Sequence, residues 1–121
     1  MKYDDNNIFA KILRGEIPCN KIYEDDYVLS FYDINPQKKI HALVIPKGKY
    51  IDLDDFNSNA SNEEIVGLMK GITAVSKKLG ISSIDGRGYR ALANISDYGG
   101  QEVPHLHFHL FGGEKVGKMV S

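Results

Sequence analysis

The sequence predicts an α+β fold, a mostly antiparallel five-stranded sheet with two main helices. Three observations predict it. The order of segments is helix, three strands, helix, two strands. The links between neighbouring strands are too short for parallel crossovers, which need a dozen or more residues. One long segment carries an apolar stripe at helical spacing and ends in glycine.

The first helix is expected over residues 8–14. Asn6 or Asn7 stands at its start as a cap, Gly15 stops it, and Pro18 follows. Ile8, Phe9 and Ile12 share one face. Two strand-like runs come next, 21–24 and 27–32, with Asp25-Asp26 as the hairpin turn. Asp33-Ile34-Asn35-Pro36 punctuates the chain. The run 40–45 is nearly all apolar, ends at Pro46 and reads as a buried central strand. Residues 47–60 read as a connection with a helical turn over 53–56. Ser61-x-x-Glu64 is a capping-box pattern. Ile65, Leu68, Met69, Ile72, Val75 and Leu79 follow it as a core stripe, closed by Gly80. Asp85-Gly86-Arg87-Gly88 is a turn. Strand four is expected over 89–95 and strand five over 103–111, joined by the glycine-rich loop 96–101.

The 121 residues are read as one domain, long enough to bury a core without staples. Fifteen Lys and Arg against sixteen Asp and Glu leave a net charge of -1, which lacks the basic footprint of a nucleic-acid binder. No apolar run approaches the length of a membrane span. The first seven residues carry no apolar signal region. Cys19 is the single cysteine, so an internal disulfide and a C-x-x-C site are both excluded. A reducing, cytoplasmic setting is the expectation.

Three of the four histidines alternate along the last strand-like run, as His105, His107 and His109. On a regular strand they share one face, and Leu106, Phe108 and Leu110 share the core face. Stability does not call for a row of imidazoles, because each must be hydrogen-bonded or solvated. Two chemistries fit. One is metal binding. The Cα atoms of His105 and His109 would stand about 13 Å apart at roughly 3.3 Å per residue, yet their nitrogens would have to converge to about 2.1 Å from one ion. A metal would more naturally recruit a ligand from another strand, such as His41. The other is nucleophilic catalysis at phosphorus. Neutral imidazole attacks through one nitrogen while its second nitrogen, protonated, is held by an acceptor. Flanking histidines then donate to phosphate oxygens and to the leaving group. The central position favours His107 for the attack. Gly99-Gly100 just before the row would let backbone N–H groups approach an anion.

The segment His105-Leu106-His107-Phe108-His109-Leu110-Phe111 has the His-φ-His-φ-His-φ-φ form, φ being hydrophobic, and resembles the histidine-triad (HIT) family. Ile8-Phe9-Ala10-Lys11-Ile12 through Glu16-Ile17-Pro18 resembles the family's opening helix and turn. Phe31-Tyr32-Asp33-Ile34-Asn35-Pro36-Gln37 and His41-Ala42-Leu43-Val44-Ile45-Pro46-Lys47 resemble its early strands, and Asn94 and Gly112-Gly113 also fit. The likeness is to the Hint-like branch, whose members hydrolyse adenosine 5'-phosphoramidate and related conjugates. The resemblance implies a HIT-like fold and a covalent nucleotidyl intermediate on His107. His105 and His109 would serve orientation, phosphate contact and proton transfer, with His41 as a fourth histidine beside them. Asp33 would hold the ribose hydroxyls. Ile8, Phe9, Ile12, Ile17, Phe31 and Ile34 would wall the base. Asn94, Gly100 and Gln101 would contact the phosphate. It further implies a purine nucleotide as small-molecule substrate, no cofactor or metal, no nucleic-acid or membrane partner, and a homodimer joined edge to edge. Glu102 stands where many relatives carry Ser or Thr, so it bears on the leaving group. The tail 114–121 lacks a Trp that some relatives carry. Alternatives from the same site are a dinucleoside polyphosphate hydrolase and a non-catalytic nucleotide- or partner-binding module.

Overall fold

The computed structural model describes residues 2–119. Asn7 caps α1 (Ile8–Leu13): its side-chain oxygen accepts from the Ala10 N–H at 2.9 Å, and Gly15 turns the chain out at φ +79. Two short strands, β1 (Lys21–Glu24) and β2 (Val28–Tyr32), form a hairpin. Asp25 builds its turn by accepting from the N–H groups of Tyr27 and Val28, at 2.8 and 2.9 Å. The apolar run becomes β3 (Ile40–Pro46), buried throughout except at Ile40. Then follow α2 (Leu53–Asn59), α3 (Asn62–Lys78), β4 (Arg90–Leu92) and β5 (Phe108–Gly112).

The sheet order is β1-β2-β3-β5-β4, and every pairing is antiparallel. Its two faces separate two clusters. On one face α3 packs Leu68, Ile72 and Val75 against Val28, Ala42, Val44, Leu106 and Leu110. On the other, Phe9 of α1 packs with Leu29, Phe31, Leu43 and Ile45. The capping box of α3 is complete, since Ser61 and Glu64 satisfy each other's backbone N–H groups. Gly67 and Gly71 in the middle of this helix each cost about 1 kcal/mol relative to alanine. Close approach to Tyr27 and to the start of β2 accounts for them. A Cβ would lie 2.5 Å from the Tyr27 ring at position 67 and 2.8 Å from Val28 at position 71.

Four local expectations are corrected. The connection 47–60 holds a helix of seven residues, because Asp52 accepts from the Asp55 N–H at 2.8 Å and starts α2. Strand five begins at Phe108, not at 103. Pro104 has no N–H for a ladder, the His105 N–H turns back to the Val103 carbonyl, and the Leu106 N–H bonds the Tyr50 carbonyl. Strand four shrinks with it: Leu92 pairs with His109, and the residues beyond Leu92 have no ladder to join. Met69 is 48% exposed, so it lies outside the core stripe. Of the tail, residues 114–119 are described, and Arg90 donates to the carbonyls of Gly117 and Lys118 at 2.8 and 3.0 Å. Met1 and the last two residues of the tail lie outside the described residues.

Candidate active site

The alternation of the histidines survives the loss of regular strand. Leu106 and Leu110 point into the α3-side core. His109 stands opposite Leu43, a member of the α1-side cluster, and the rings of His105 and His107 lie 6.3 and 4.9 Å from that of Phe9. The row therefore faces α1. His41, one rung along β3 from Leu43, joins it there.

A cavity of about 340 Å³ opens on this face. It brings together Phe9, Asp33, His41, Asn94, Gly100, Glu102, His107 and His109 from the expected set, with Asn35, Gln37, Leu43 and Val103 added. His105 is not among its walls and is fully buried. Its ring therefore has no face open to the cavity in this structure. The side chain of Gln101 is also turned away, since it ties the loop by donating to the Ile51 and Val103 carbonyls and accepting from the Ser96 N–H. The expected apolar walls divide. Phe31 and Ile12 belong to the α1-side core, Ile17 is half-buried, and Ile8 and Ile34 are exposed, Ile34 by 86%.

The hydrogen bonds fix every imidazole tautomer. The Gln37 N–H donates to His41 Nδ1 at 3.1 Å, so the proton of neutral His41 sits on Nε2. That Nε2–H donates to His109 Nδ1 at 2.9 Å and leaves the proton of His109 on its own Nε2. His105 Nε2–H donates to the Pro46 carbonyl at 2.9 Å, and its Nδ1 accepts the Tyr3 hydroxyl at 2.6 Å. His107 Nδ1–H donates to the His105 carbonyl at 2.7 Å. The Nε2 lone pair of His107 is left without a partner among the described residues, on a side chain that lines the cavity.

Asp33 divides its two oxygens. One accepts from the Asn35 N–H at 2.8 Å and makes the turn; the other lies 3.4 Å from His41 Nε2. The turn reading of this residue holds, and its second oxygen lies beside the histidines. Asp33, His41 and His109 offer ligand atoms within 4.8 Å of one another. The outer partner of His41 has the wrong polarity for a metal ligand, however. Ligating imidazoles usually donate their second N–H to an acceptor, whereas His41 Nδ1 receives the Gln37 N–H. A cation on Nε2 would require an imidazolate or the loss of that bond.

The loop before the row is tight. Gly100 adopts φ +74, and the N–H groups of Gly100 and Gln101 are spent on the Asp97 and Ser96 carbonyls at 3.0 Å. The expected anion cradle on those two amides is therefore not preformed. The N–H groups of Glu102 and Val103 meet no acceptor among the described residues, and both residues line the cavity.

Burial holds all four histidines below the ordinary imidazole range, His105 and His109 at about 4. The sign for stability follows. An unfolded histidine titrates near about 6.5. As pH falls from there towards 4, the unfolded chain takes up protons that the folded chain refuses, so stability falls with acidification. Thermal melts should show a melting temperature that drops steadily across this window. A flat profile would mean that the histidines are protonated in place.

Sequence reasoning missed Tyr3, whose partner lies 102 residues away and leaves no local signal. It also missed Asn35, although the turn 33–36 containing it was recognised, and Gln37 just after that turn.

The HIT domain family model matches residues 14–116. An uncharacterized 13.2 kDa HIT-like protein of Azospirillum brasilense is 50% identical, covering 98% of this chain and 95% of its own. A purine nucleoside phosphoramidase of Escherichia coli is 40% identical over 97% of this chain and 95% of its own. Among solved structures, a HIT family hydrolase from Legionella pneumophila superposes with a TM-score of 0.82 at 37% identity, covering 93% of this chain and 96% of that one.

Proposed function

Because the chain belongs to the HIT family, we propose that it hydrolyses nucleoside 5'-phosphoramidates through a nucleotidyl-histidine on His107. The observation that carries this reading is the open Nε2 of His107, its lone pair directed by the Nδ1–H bond to the His105 carbonyl. That Nε2 attacks phosphorus, a P–N bond forms, and the P–N bond to the leaving amine breaks. The arriving phosphate anion raises the proton affinity of His109, which takes up a proton from solvent and becomes an imidazolium. Its Nε2–H is then given to the departing amine, which leaves His109 neutral. Water attacks phosphorus and displaces His107 while neutral His109 takes the proton of the water, releasing the nucleoside monophosphate. Throughout, the His105 carbonyl stabilises the positive charge that develops on His107.

Asp33 lines the cavity, and its carboxylate suits ribose hydroxyls as donors. Next to it, Ile34 is exposed and available to a purine. The name of the Escherichia coli relative supports the same substrate class. Among the described residues the cavity walls hold two carboxylates, Asp33 and Glu102, and no Lys or Arg. Polyphosphate chains would meet no cation there, which favours phosphoramidates over dinucleoside polyphosphates. In the same reading the enzyme is a homodimer: β1 and β4 are the open edges of the sheet, and an edge-to-edge partner would close one of them.

Product analysis on adenosine 5'-phosphoramidate and on a diadenosine polyphosphate tests the reading. AMP and ammonia should be released from the first much faster than any nucleotide from the second. Equal or reversed rates would replace the phosphoramidase reading, and no release from either would favour a binding module.

Glu102 bears on the leaving group. It lines the cavity, is exposed, and forms no ion pair among the described residues. A partly screened carboxylate is worth about 1 kcal/mol to a nearby cation. The wild type should therefore favour AMP conjugates of amines carrying a second positive charge over those carrying a carboxylate, by roughly fivefold to tenfold in kcat/KM. In Glu102→Gln this order should flatten. An unchanged order would remove Glu102 from specificity.

A further inference from the structure

Tyr3 and Phe9, near the start of the chain, bear directly on the histidine row. The Tyr3 ring meets that of His105 edge to face at 5.7 Å, and its hydroxyl donates to His105 Nδ1 at 2.6 Å. Tyr3 lies ahead of the stretch matched to the family, which begins at residue 14. His105 is held at both ends, by the Pro46 carbonyl on Nε2–H and by Tyr3 on Nδ1. Its own carbonyl is the acceptor for His107 Nδ1–H.

We propose that Tyr3 is a positioning residue for nucleotidyl transfer, acting through His105 on His107. The proposal rests on the reading of His107 as the attacking group. The physical argument concerns one buried atom. His105 Nδ1 belongs to a fully buried side chain, and the Tyr3 hydroxyl is the donor that satisfies it. Without that hydroxyl the nitrogen is an orphaned acceptor, which is costly in an apolar setting. The ring relieves the cost by shifting towards another donor. The ring and the carbonyl belong to one residue in a stretch without ladder bonds, so a shift of the ring moves the carbonyl that orients His107. Transfer needs the lone pair of His107 aimed at phosphorus, and misalignment there is paid in rate. Tyr3 is not among the cavity walls, so it acts on the nucleotide only through His105.

The test is Tyr3→Phe, which keeps the ring and its packing and removes only the hydroxyl. The rate of nucleotidyl transfer in a single turnover should fall roughly threefold to tenfold, the value of one neutral hydrogen bond, while KM stays within about twofold. The fall in rate at constant KM is what a purely structural role would not produce, and nitrogen-15 NMR of the free protein tests the hydrogen bond itself. In the wild type, His105 should show a protonated Nε2 and a hydrogen-bonded, unprotonated Nδ1; in Tyr3→Phe the Nδ1 resonance should shift towards that of an unbonded nitrogen. An unchanged transfer rate in a folded Tyr3→Phe protein overturns the proposal, whatever happens to its melting temperature. So does a wild-type His105 protonated at Nδ1, which decides the matter even if the variant fails to fold. Absence of transfer in the wild type would instead overturn the reading of His107.

Discussion

Replacing His107 by alanine is expected to abolish nucleotidyl transfer and lower kcat by at least about 10⁴-fold, the scale seen when a nucleophile is removed from a cooperating site. The expectation is specific to a covalent mechanism. If water attacked the substrate directly, His107 would only help to position or activate it, and its loss would leave a larger residual rate. The variant also leaves the His105 carbonyl without its donor and opens space beside Phe9. Part of any loss could then be structural, and His107→Asn separates the two causes. Asparagine retains an N–H donor of similar reach but no nucleophilic nitrogen. Both variants should be inactive, and His107→Asn should melt closer to the wild type. Measurable turnover near the wild-type rate in either variant would remove His107 from the chemistry.

His109→Ala should lower the rate about 10²- to 10⁴-fold on amine leaving groups, the range for loss of a general acid. An amine cannot depart from phosphorus without a proton, and His109 Nε2–H is the donor that the tautomer chain from Gln37 through His41 leaves available. The defect should shrink sharply on an AMP ester of an acidic phenol, which leaves as a stable anion. A deficit of the same size on both substrates would assign His109 to binding instead of proton transfer. The fold should survive this change. His109 is half-buried, and His41 Nε2–H can turn to the Asp33 oxygen at 3.4 Å.

What was legible in the sequence is what periodicity and caps control. The alternating histidines announced a polar row opposite a core face, and Leu106 and Leu110 do fill the α3-side core. Ser61 and Glu64 announced the start of α3, and Asp25 the hairpin. The misreadings fall where a single residue overrides a pattern. Pro104 stops the strand short of the first two histidines, and Asp52 nucleates a helix inside an apparent connection. Met69 fits the stripe by spacing but sits at its margin, where the sheet no longer covers it. For the site, the resemblance named the residues but not their depth. Sequence could not distinguish His107, which lines the cavity, from His105, which backs it. It could not show that the amides of Gly100 and Gln101 are already used within their own loop. Nor could it find Tyr3, because a contact between the two ends of a chain leaves no periodic trace.

The most direct measurement is the intact mass of the protein, quenched within milliseconds of mixing with adenosine 5'-phosphoramidate, followed by mapping of the modified peptide. The account predicts a single added adenylyl group on the wild type, located on His107, formed before AMP appears in bulk and missing from His107→Ala. Turnover of the wild type with no adduct at any time, or an adduct that persists in His107→Ala, would contradict it.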